Sequence, residues 1–168
     1  MSTLLLVRHA KTQPTASSDR ERELTGRGRR QSDALGVELG GQSFGSVRAL
    51  VSSAVRAVQT WEGIAPALED ASVTLEVLES LYAADPDDVL DEVRVVPSEI
   101  DTVIVVGHNP AIADLAWTLA GEEPGPAFDA MRAGGYSPAT TTAFEVAGAW
   151  AELDASAVTL TRYVGPLA

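Results

Sequence analysis

Apolar and polar positions follow two different periods along this chain, and the two kinds of segment alternate. Four short runs are predicted strands, and the first and fourth of them are strongly apolar, as expected of strands that are buried on both faces of a sheet. They lie at 2–9 (STLLLVRH), 46–53 (SVRALVSS), 72–80 (SVTLEVLES) and 101–108 (DTVIVVGH). The segments between them are predicted helices. This alternation of strands with helices predicts an α/β protein with a mainly parallel sheet.

Capping residues define the ends of the predicted helices. Thr25, Asp85 and Asn109 are residue types that favour the N-cap, and proline follows two of them at the position where the first helical residue is expected. The helices are predicted over 26–39, 54–69, 86–95 and 110–120.

The pattern changes in the last third of the chain. A loop with at most one helical turn is predicted over 121–139, where glycine and proline are frequent. Two strand-like runs follow at 141–148 and 156–165, and the polar connection between them predicts a C-terminal hairpin. No repeat or linker interrupts the sequence, so residues 1–168 are predicted to form a single domain.

Composition excludes several kinds of site. The chain of 168 residues has no cysteine, which rules out disulfides, thiolate nucleophiles and cysteine zinc sites. The apolar run that precedes Arg8 is too short for the hydrophobic region of a signal peptide or for a membrane span. These features together predict a cytoplasmic protein that does not act at a membrane.

Charge is distributed very unevenly. The net charge is −12, but residues 1–60 carry +4 and residues 61–168 carry −16. An overall anion is repelled by a phosphate backbone, so general nucleic-acid binding is not expected. The basic first third indicates a local anion site, although an arginine-rich helix face exposed to solvent is an alternative interpretation.

The two histidines occupy equivalent positions. His9 and His108 each follow directly after an apolar strand, where open α/β sheets place their ligand crevices. Arg56 lies in the first turn of the predicted second helix, at the border of the same crevice. A lone histidine is usually a structural residue, but two at equivalent strand ends indicate a shared site.

These residue types suit phosphoryl transfer. Arg8 and Arg56 offer permanently charged donors for phosphoryl oxygens, and a neutral imidazole at His9 is a competent nucleophile. Nearby cations disfavour the imidazolium, so they are expected to lower the pKa of His9. His108 is expected to donate to a phosphoryl oxygen, and the amides at the start of the helix after it are expected to bind the same anion. This arrangement needs no metal or other cofactor.

Three motifs resemble the histidine phosphatase (phosphoglycerate mutase-like) superfamily. They are Arg8-His9-Ala10, the SSAVRAVQT segment at 52–60 and the VVGHNP segment at 105–110. The RHAK form of the first motif and RELTGRG after it resemble the SixA phosphohistidine phosphatase branch. The resemblance implies a three-layer α/β/α sandwich, His9 as nucleophile, and a phosphate pocket completed by Arg8, Arg56 and His108.

The proton donor for the leaving group is not defined by the motifs. Many members of the family carry a carboxylate after the third strand, but here Ser80 stands at that position and Glu79 is one residue away. Asp19, in the loop after His9, is a second candidate. Arg22 matches an arginine of the SixA-like pattern and is expected to reach the phosphate or to dock an acidic protein.

The predicted function is a metal-independent phosphatase that acts through phospho-His9, with phosphohistidine on a protein as the expected substrate. A phosphoramidate makes smaller demands on a general acid than a phosphate ester does, which favours that substrate. One alternative is a phosphomonoesterase for a small metabolite. A non-catalytic phosphate-binding module and a two-histidine metal site are weaker alternatives, because the expected nucleophile, His9, is intact and a third metal ligand is missing.

Overall fold

Residues 1–167 are described by a computed structural model, and they form six strands and five α-helices. The strands are β1 (Ser2–Arg8), β2 (Ser46–Ser52), β3 (Ser72–Leu78), β4 (Thr102–Gly107), β5 (Thr141–Val146) and β6 (Val158–Val164). The helices are α1 (Gly26–Leu39), α2 (Val55–Ile64), α3 (Pro86–Arg94), α4 (Ala111–Ala120) and α5 (Pro126–Gly134). Short 3₁₀ turns lie at Asp19–Glu21, Ala65–Leu68, Glu79–Leu81, Trp150–Glu152 and Ala155–Ala157.

All six strands belong to one sheet, in the order β3-β2-β4-β1-β5-β6. The strands β3, β2, β4 and β1 run parallel to one another. Strand β5 runs antiparallel to both β1 and β6. The predicted mainly parallel sheet with a C-terminal hairpin is therefore confirmed. Because β1 lies between β4 and β5, the ends of β1 and β4 are adjacent at the centre of the sheet.

Helices cover both faces of the sheet. On β1, Leu5 and Val7 face the cluster under α1 and α2, whereas Leu4 and Leu6 face the cluster under α3, α4 and α5. All four side chains are nearly inaccessible to solvent, which explains why the sequence shows a continuous apolar run without polar alternation. The three-layer α/β/α sandwich is confirmed.

Most of the predicted helix ends agree with the structure. The side chains of Thr25 and Asp85 accept backbone N–H groups of the first turns of α1 and α3, and Asp85 forms a capping box with Asp88. Helix α2 is shorter than predicted, since it changes to a 3₁₀ turn that contains Pro66.

The segment over 126–134 was predicted as a loop with at most one helical turn, and this prediction was wrong. Pro126 occupies the first position of α5, and Gly135, with a φ of 68°, follows its last residue. Met131 is fully buried against the sheet and holds the helix in place. No helix in residues 1–167 has both the length and the apolar character required to cross a bilayer.

Candidate active site

The two histidines lie side by side because β1 and β4 end together. In the parallel register, Arg8 is opposite Gly107, and the backbone N–H of His9 donates to the carbonyl oxygen of Gly107 at 3.0 Å. The next residue on each strand is a histidine, and the ring centroids of His9 and His108 are 5.2 Å apart. The expectation that the two imidazoles share one crevice is confirmed.

The ring of His9 is held in a defined tautomer. Its Nδ1 lies 2.8 Å from the carbonyl oxygen of Ala10, which can only accept, so Nδ1 carries the hydrogen. The lone pair is then on Nε2. Burial, together with smaller contributions from the charges of His108, Arg56 and Arg8, lowers the pKa of His9 to about 3, against the opposing effect of the hydrogen bond to Ala10. The expected decrease is confirmed, although burial contributes more than the arginines that motivated the prediction.

His108 is also neutral at pH 7, and its ring is hydrogen-bonded to a serine hydroxyl. Burial and the charge of Arg56 lower the pKa of His108 to about 4. Its Nε2 lies 2.7 Å from Oγ of Ser52, and that oxygen already accepts the backbone N–H of Ala54 at 3.3 Å. We assign the Ser52 hydroxyl as the donor to Nε2, because this tautomer leaves the remaining hydrogen of His108 on Nδ1, where an anion can accept it. This Nδ1 is buried and meets no partner among the described residues, so it is available to an anion.

Two arginines supply further donors. Arg56 lies in the first turn of α2 and is only 6% exposed, and one of its Nη atoms donates to the backbone oxygen of Asp19 at 2.8 Å. Arg8 donates through Nη1 to the carbonyl oxygen of Tyr136 at 3.0 Å. The Nε–H of each arginine is buried and unpaired within residues 1–167. Both guanidinium groups thus retain hydrogen-bonding capacity for an oxyanion.

The side chain of Asp19 lies against these donors. One carboxylate oxygen accepts from Nη2 of Arg56 at 3.1 Å and from the hydroxyl of Tyr82 at 2.6 Å, and the other accepts from Nε of Arg22 at 3.0 Å. The hydrogen bond from Tyr82, together with the charge of Arg56 and the hydrogen bonds from both arginines, lowers the pKa of Asp19 to about 2. This carboxyl group is ionised at neutral pH.

Glu79 lies in the 3₁₀ turn that follows β3. Its carboxylate is paired with Arg20, which donates at 2.6 Å, and it also accepts the hydroxyl of Ser53 at 2.7 Å. The hydrogen bond from Arg20 lowers the pKa of Glu79, so this side chain is ionised too. Neither of the two candidate acids holds a proton at pH 7.

Buried polar groups connect the nucleophile loop to α2. Oγ1 of Thr60 accepts the backbone N–H of Ala10 at 2.9 Å and donates to the backbone oxygen of Arg56 at 2.7 Å. Thr60 was part of the second motif, but only the structure assigns it a contact. Tyr82 was not singled out from the sequence, although it follows the third strand at the segment where a carboxylate was sought, and Arg20 was considered only as part of the basic first third of the chain.

The first turn of α4 differs from its prediction. The helix begins at Ala111, with Pro110 at the N-cap position, and the N–H of Ala113 is bound by Oδ1 of Asn109 at 3.2 Å. The N–H of Ile112 donates to the carbonyl oxygen of His108 at 2.9 Å. These two amides are used within the chain, so they are not free for the anion that was expected to bind there.

The site is suited to an anion and not to a cation. No three His, Asp or Glu side chains within residues 1–167 are grouped in a way that could hold a metal ion. Arg8 and Arg56 also repel a cation from the histidine pair. Among the described residues, the buried side-chain atoms without a partner include Nε of Arg8, Nε of Arg56 and Nδ1 of His108.

Comparisons with known proteins agree with this geometry. Residues 4–85 match the profile of the histidine phosphatase superfamily (branch 1). The uncharacterized protein ML1117 of Mycobacterium leprae is 31% identical over 169 residues, which cover 95% of this chain and 99% of that protein.

Two solved structures are similar over nearly the whole chain. A candidate phosphohistidine phosphatase SixA from Nakamurella multipartitia is 31% identical with a TM-score of 0.84, and the match covers 99% of this chain and 97% of that one. The protein histidine phosphatase SixA in complex with tungstate is 26% identical with a TM-score of 0.76, over 98% of this chain and 97% of that one. With its two strand-end histidines and its arginine donors, the chain thus belongs to the histidine phosphatase superfamily and, within it, to the SixA-like branch of phosphatases.

Proposed function

We propose that this phosphatase works without a metal ion, forms a phosphohistidine intermediate on His9 and acts on phosphohistidine carried by a protein. The observation that carries the proposal is the state of His9, whose ring is neutral with the Nε2 lone pair unblocked. Around it, Arg8, Arg56 and His108 each keep a buried N–H without a partner among the described residues. A nucleophile surrounded by unused donors matches the needs of phosphoryl transfer.

The reaction has two steps. In the first, Nε2 of His9 attacks phosphorus, the new N–P bond forms, and the bond from phosphorus to the leaving atom breaks. Arg8, Arg56, Arg22 and Nδ1 of His108 hold the phosphoryl oxygens while negative charge builds on them. In the second step, water attacks phosphorus, the N–P bond to His9 breaks, and inorganic phosphate leaves with the proton balance completed by solvent.

The state of the two carboxyl groups supports phosphohistidine as the substrate. Asp19 and Glu79 are both ionised at neutral pH, so neither is ready to protonate an alkoxide as it leaves. An imidazole leaving group can be protonated on its other nitrogen by solvent and departs as a neutral molecule, whereas an ester oxygen needs a proton from the site. The tungstate bound to the similar SixA structure is an oxyanion, which is the class of ligand that these donors suit.

Charge around the crevice favours a partner with an acidic surface. Lys11, Arg27 and Arg30 are exposed on and beside the start of α1, close to the loop that carries His9. The rest of the chain is strongly acidic, so this basic region differs from its surroundings. We expect residues 1–168 to act as a single cytoplasmic domain, a location consistent with the absence of cysteine.

A small-metabolite phosphomonoesterase is the second candidate. The observation in its favour is Tyr82, whose hydroxyl borders the donors and offers a weak acid near the leaving group. A non-catalytic phosphate-binding module has less support, because such a module has no need for a free Nε2 on His9.

One rapid-quench experiment separates these functions. The protein is mixed with ³²P-labelled phosphohistidine protein and, in parallel, with an aryl phosphate, each with and without a chelator. We expect an acid-labile phosphoenzyme, faster turnover of phosphohistidine, no effect of chelator and no phosphoenzyme in His9→Ala. Faster turnover of the aryl phosphate would support the monoesterase, loss of activity with chelator would contradict metal independence, and binding without turnover would support the module.

A further inference from the structure

The carboxylate of Asp19 is bound in the way that a phosphoryl group is expected to be bound. Its two oxygens accept hydrogens from Arg56 at 3.1 Å, Arg22 at 3.0 Å and Tyr82 at 2.6 Å. These donors come from three separate parts of the chain, namely α2, the segment before α1 and the turn after β3. Their convergence on one anionic group defines a small oxyanion site in which the chain's own carboxylate is seated.

Tyr82 is positioned to belong to the crevice as well as to Asp19. Its ring meets the imidazole of His108 edge-on, with the centroids 5.9 Å apart and the planes at 90°. On its other side, the guanidinium carbon of Arg20 lies 4.2 Å from the ring centroid, and Arg20 is held by Glu79. The Glu79–Arg20 pair therefore supports the ring, and the hydroxyl is directed at the same oxyanion site.

Asp19 is the member of this cluster that can most easily move away. Its side chain is 56% exposed, whereas that of Arg56 is only 7% exposed. An exposed carboxylate regains hydration when it leaves an ion pair, but a buried guanidinium does not. A phosphoryl group with two negative charges is therefore a stronger partner for the buried donors than Asp19 is.

We propose that Tyr82 is a substrate-binding residue, which donates its phenolic hydrogen to an oxygen of the phosphoryl group when that group displaces Asp19. Asp19 and the substrate then compete for the same three donors, and Asp19 holds those donors in position when substrate is absent. This inference rests on the proposed function for the identity of the ligand as a phosphoryl group, and it adds a donor that the sequence motifs do not contain.

Tungstate binding tests the proposal without any need for turnover. The dissociation constant is measured by isothermal titration calorimetry at pH 7 for the wild type, Tyr82→Phe, Asp19→Asn and the double variant. We expect Tyr82→Phe to weaken binding about tenfold, as for the loss of one hydrogen bond to a charged group. We expect Asp19→Asn to tighten binding about threefold, because the competing charge is removed.

The double variant is decisive. If Tyr82 contacts the phosphoryl group, Tyr82→Phe weakens tungstate binding in the Asp19→Asn background too. If it serves only to hold Asp19, its removal has no effect in that background, and the proposal is wrong. The matched control is Glu21→Gln, which removes a negative charge two residues away from Asp19 and should leave the dissociation constant unchanged. Melting temperatures establish that each variant is folded.

Failure of this inference can be distinguished from failure of the proposed function. Absence of tungstate binding to the wild type would overturn the oxyanion site itself. Binding that weakens in Tyr82→Phe, without any phosphoenzyme on His9, would support the role of Tyr82 in holding an oxyanion and contradict the catalytic function. A phosphoenzyme that forms normally, with tungstate binding unchanged in Tyr82→Phe, would contradict the role of Tyr82 alone.

Discussion

At the scale of single residues, the crevice contains more hydrogen-bond donors than the chain itself satisfies. The Nε–H groups of Arg8 and Arg56 and the Nδ1–H of His108 are buried without partners in the described part of the chain. An unsatisfied buried donor destabilises a fold by about 1–3 kcal/mol. Such an arrangement is expected where a ligand oxyanion completes the hydrogen bonds, and it makes binding of that ligand more favourable.

Replacement of Arg56 is expected to separate activity from stability. Arg56→Met replaces the guanidinium group with an apolar side chain, so the buried charge and the unpaired Nε–H are both lost. We expect phosphatase activity to fall at least a hundredfold, while the free energy of unfolding stays the same or rises. Urea unfolding followed by tryptophan fluorescence measures the free energy of unfolding. A large loss of stability in Arg56→Met would show that the guanidinium serves mainly to hold the fold.

The protonation of both imidazoles can be observed directly. Since His9 and His108 are the only histidines in the sequence, the imidazole signals in ¹⁵N spectra of the protein come from two rings alone. Burial lowers the pKa of His9 to about 3 and that of His108 to about 4, so both rings should remain neutral from pH 7 to pH 5. The ¹⁵N chemical shifts of each ring should also show that its hydrogen is on Nδ1. A titration midpoint near 6.5 for either ring would contradict the assignment.

At the scale of elements, α1 packs very closely on the loop that carries the nucleophile. A Cβ atom at Gly28 would lie 2.0 Å from the backbone oxygen of Lys11, a distance that no relaxation of a side chain can relieve. The same oxygen accepts the backbone N–H of Thr25 at 2.9 Å, which fixes the start of the helix to the loop. The glycine thus allows the helix to hold the segment next to His9.

Gly28→Ala should therefore destabilise the protein and disturb the site. We expect a loss of about 2 kcal/mol in the free energy of unfolding, together with lower kcat, because α1 must move away from the loop. Gly26→Ala is the matched control in the same helix, since its Cβ would meet no atom closer than 3.6 Å. That control should be neutral or slightly stabilising. Equal effects of the two substitutions on thermal melting would contradict this account of the packing.

The elements were predictable where pattern and capping act locally. The apolar run of β1 and the cap at Thr25 each determine a structure within a few residues, so the strand and α1 were predicted closely. Helix α5 was missed because Pro126 and Gly135 indicate a loop, whereas the burial of Met131 against distant strands stabilises a helix. A contact with strands that are distant in the sequence cannot be inferred from the residues of the segment itself.

The histidine pair of the candidate site could be predicted from the sequence, but the contacts of Asp19 and Tyr82 could not. His9 and His108 follow strands whose adjacency is set by sheet topology, so their meeting could be anticipated from the α/β pattern. The position of Asp19 on Arg56 depends on the path of an irregular loop, and the role of Tyr82 depends on that loop in turn. Neither contact has a signature in residue spacing, which is why Asp19 was considered only as an acid and Tyr82 was not considered at all.

At the scale of the whole molecule, two neutral imidazoles at the centre of the sheet, His9 buried and His108 half-buried, make the fold sensitive to acid. Below pH 6.5 the unfolded chain binds protons on both histidines, whereas the folded chain does not until the pH approaches about 4 for His108 and about 3 for His9. The unfolded state is therefore favoured as the pH falls through this window. Above pH 6.5 neither state binds the proton, and the effect disappears.

We expect the free energy of unfolding to fall by about 1.4 kcal/mol per pH unit for each histidine between pH 6 and pH 4.5. Urea unfolding at several pH values, followed by the fluorescence of the three tryptophans, gives this slope. The His9→Gln/His108→Gln variant lacks both titrating rings and should show a nearly flat profile over the same window. The carboxylates whose pKa values are lowered, such as Asp19, begin to lose their contribution near their unfolded pKa values, but they are present in both proteins, so the difference between the two slopes reports the imidazoles. Equal slopes in the two proteins would mean that the imidazoles titrate normally in the folded state, and burial would then not be what holds His9 in its neutral form.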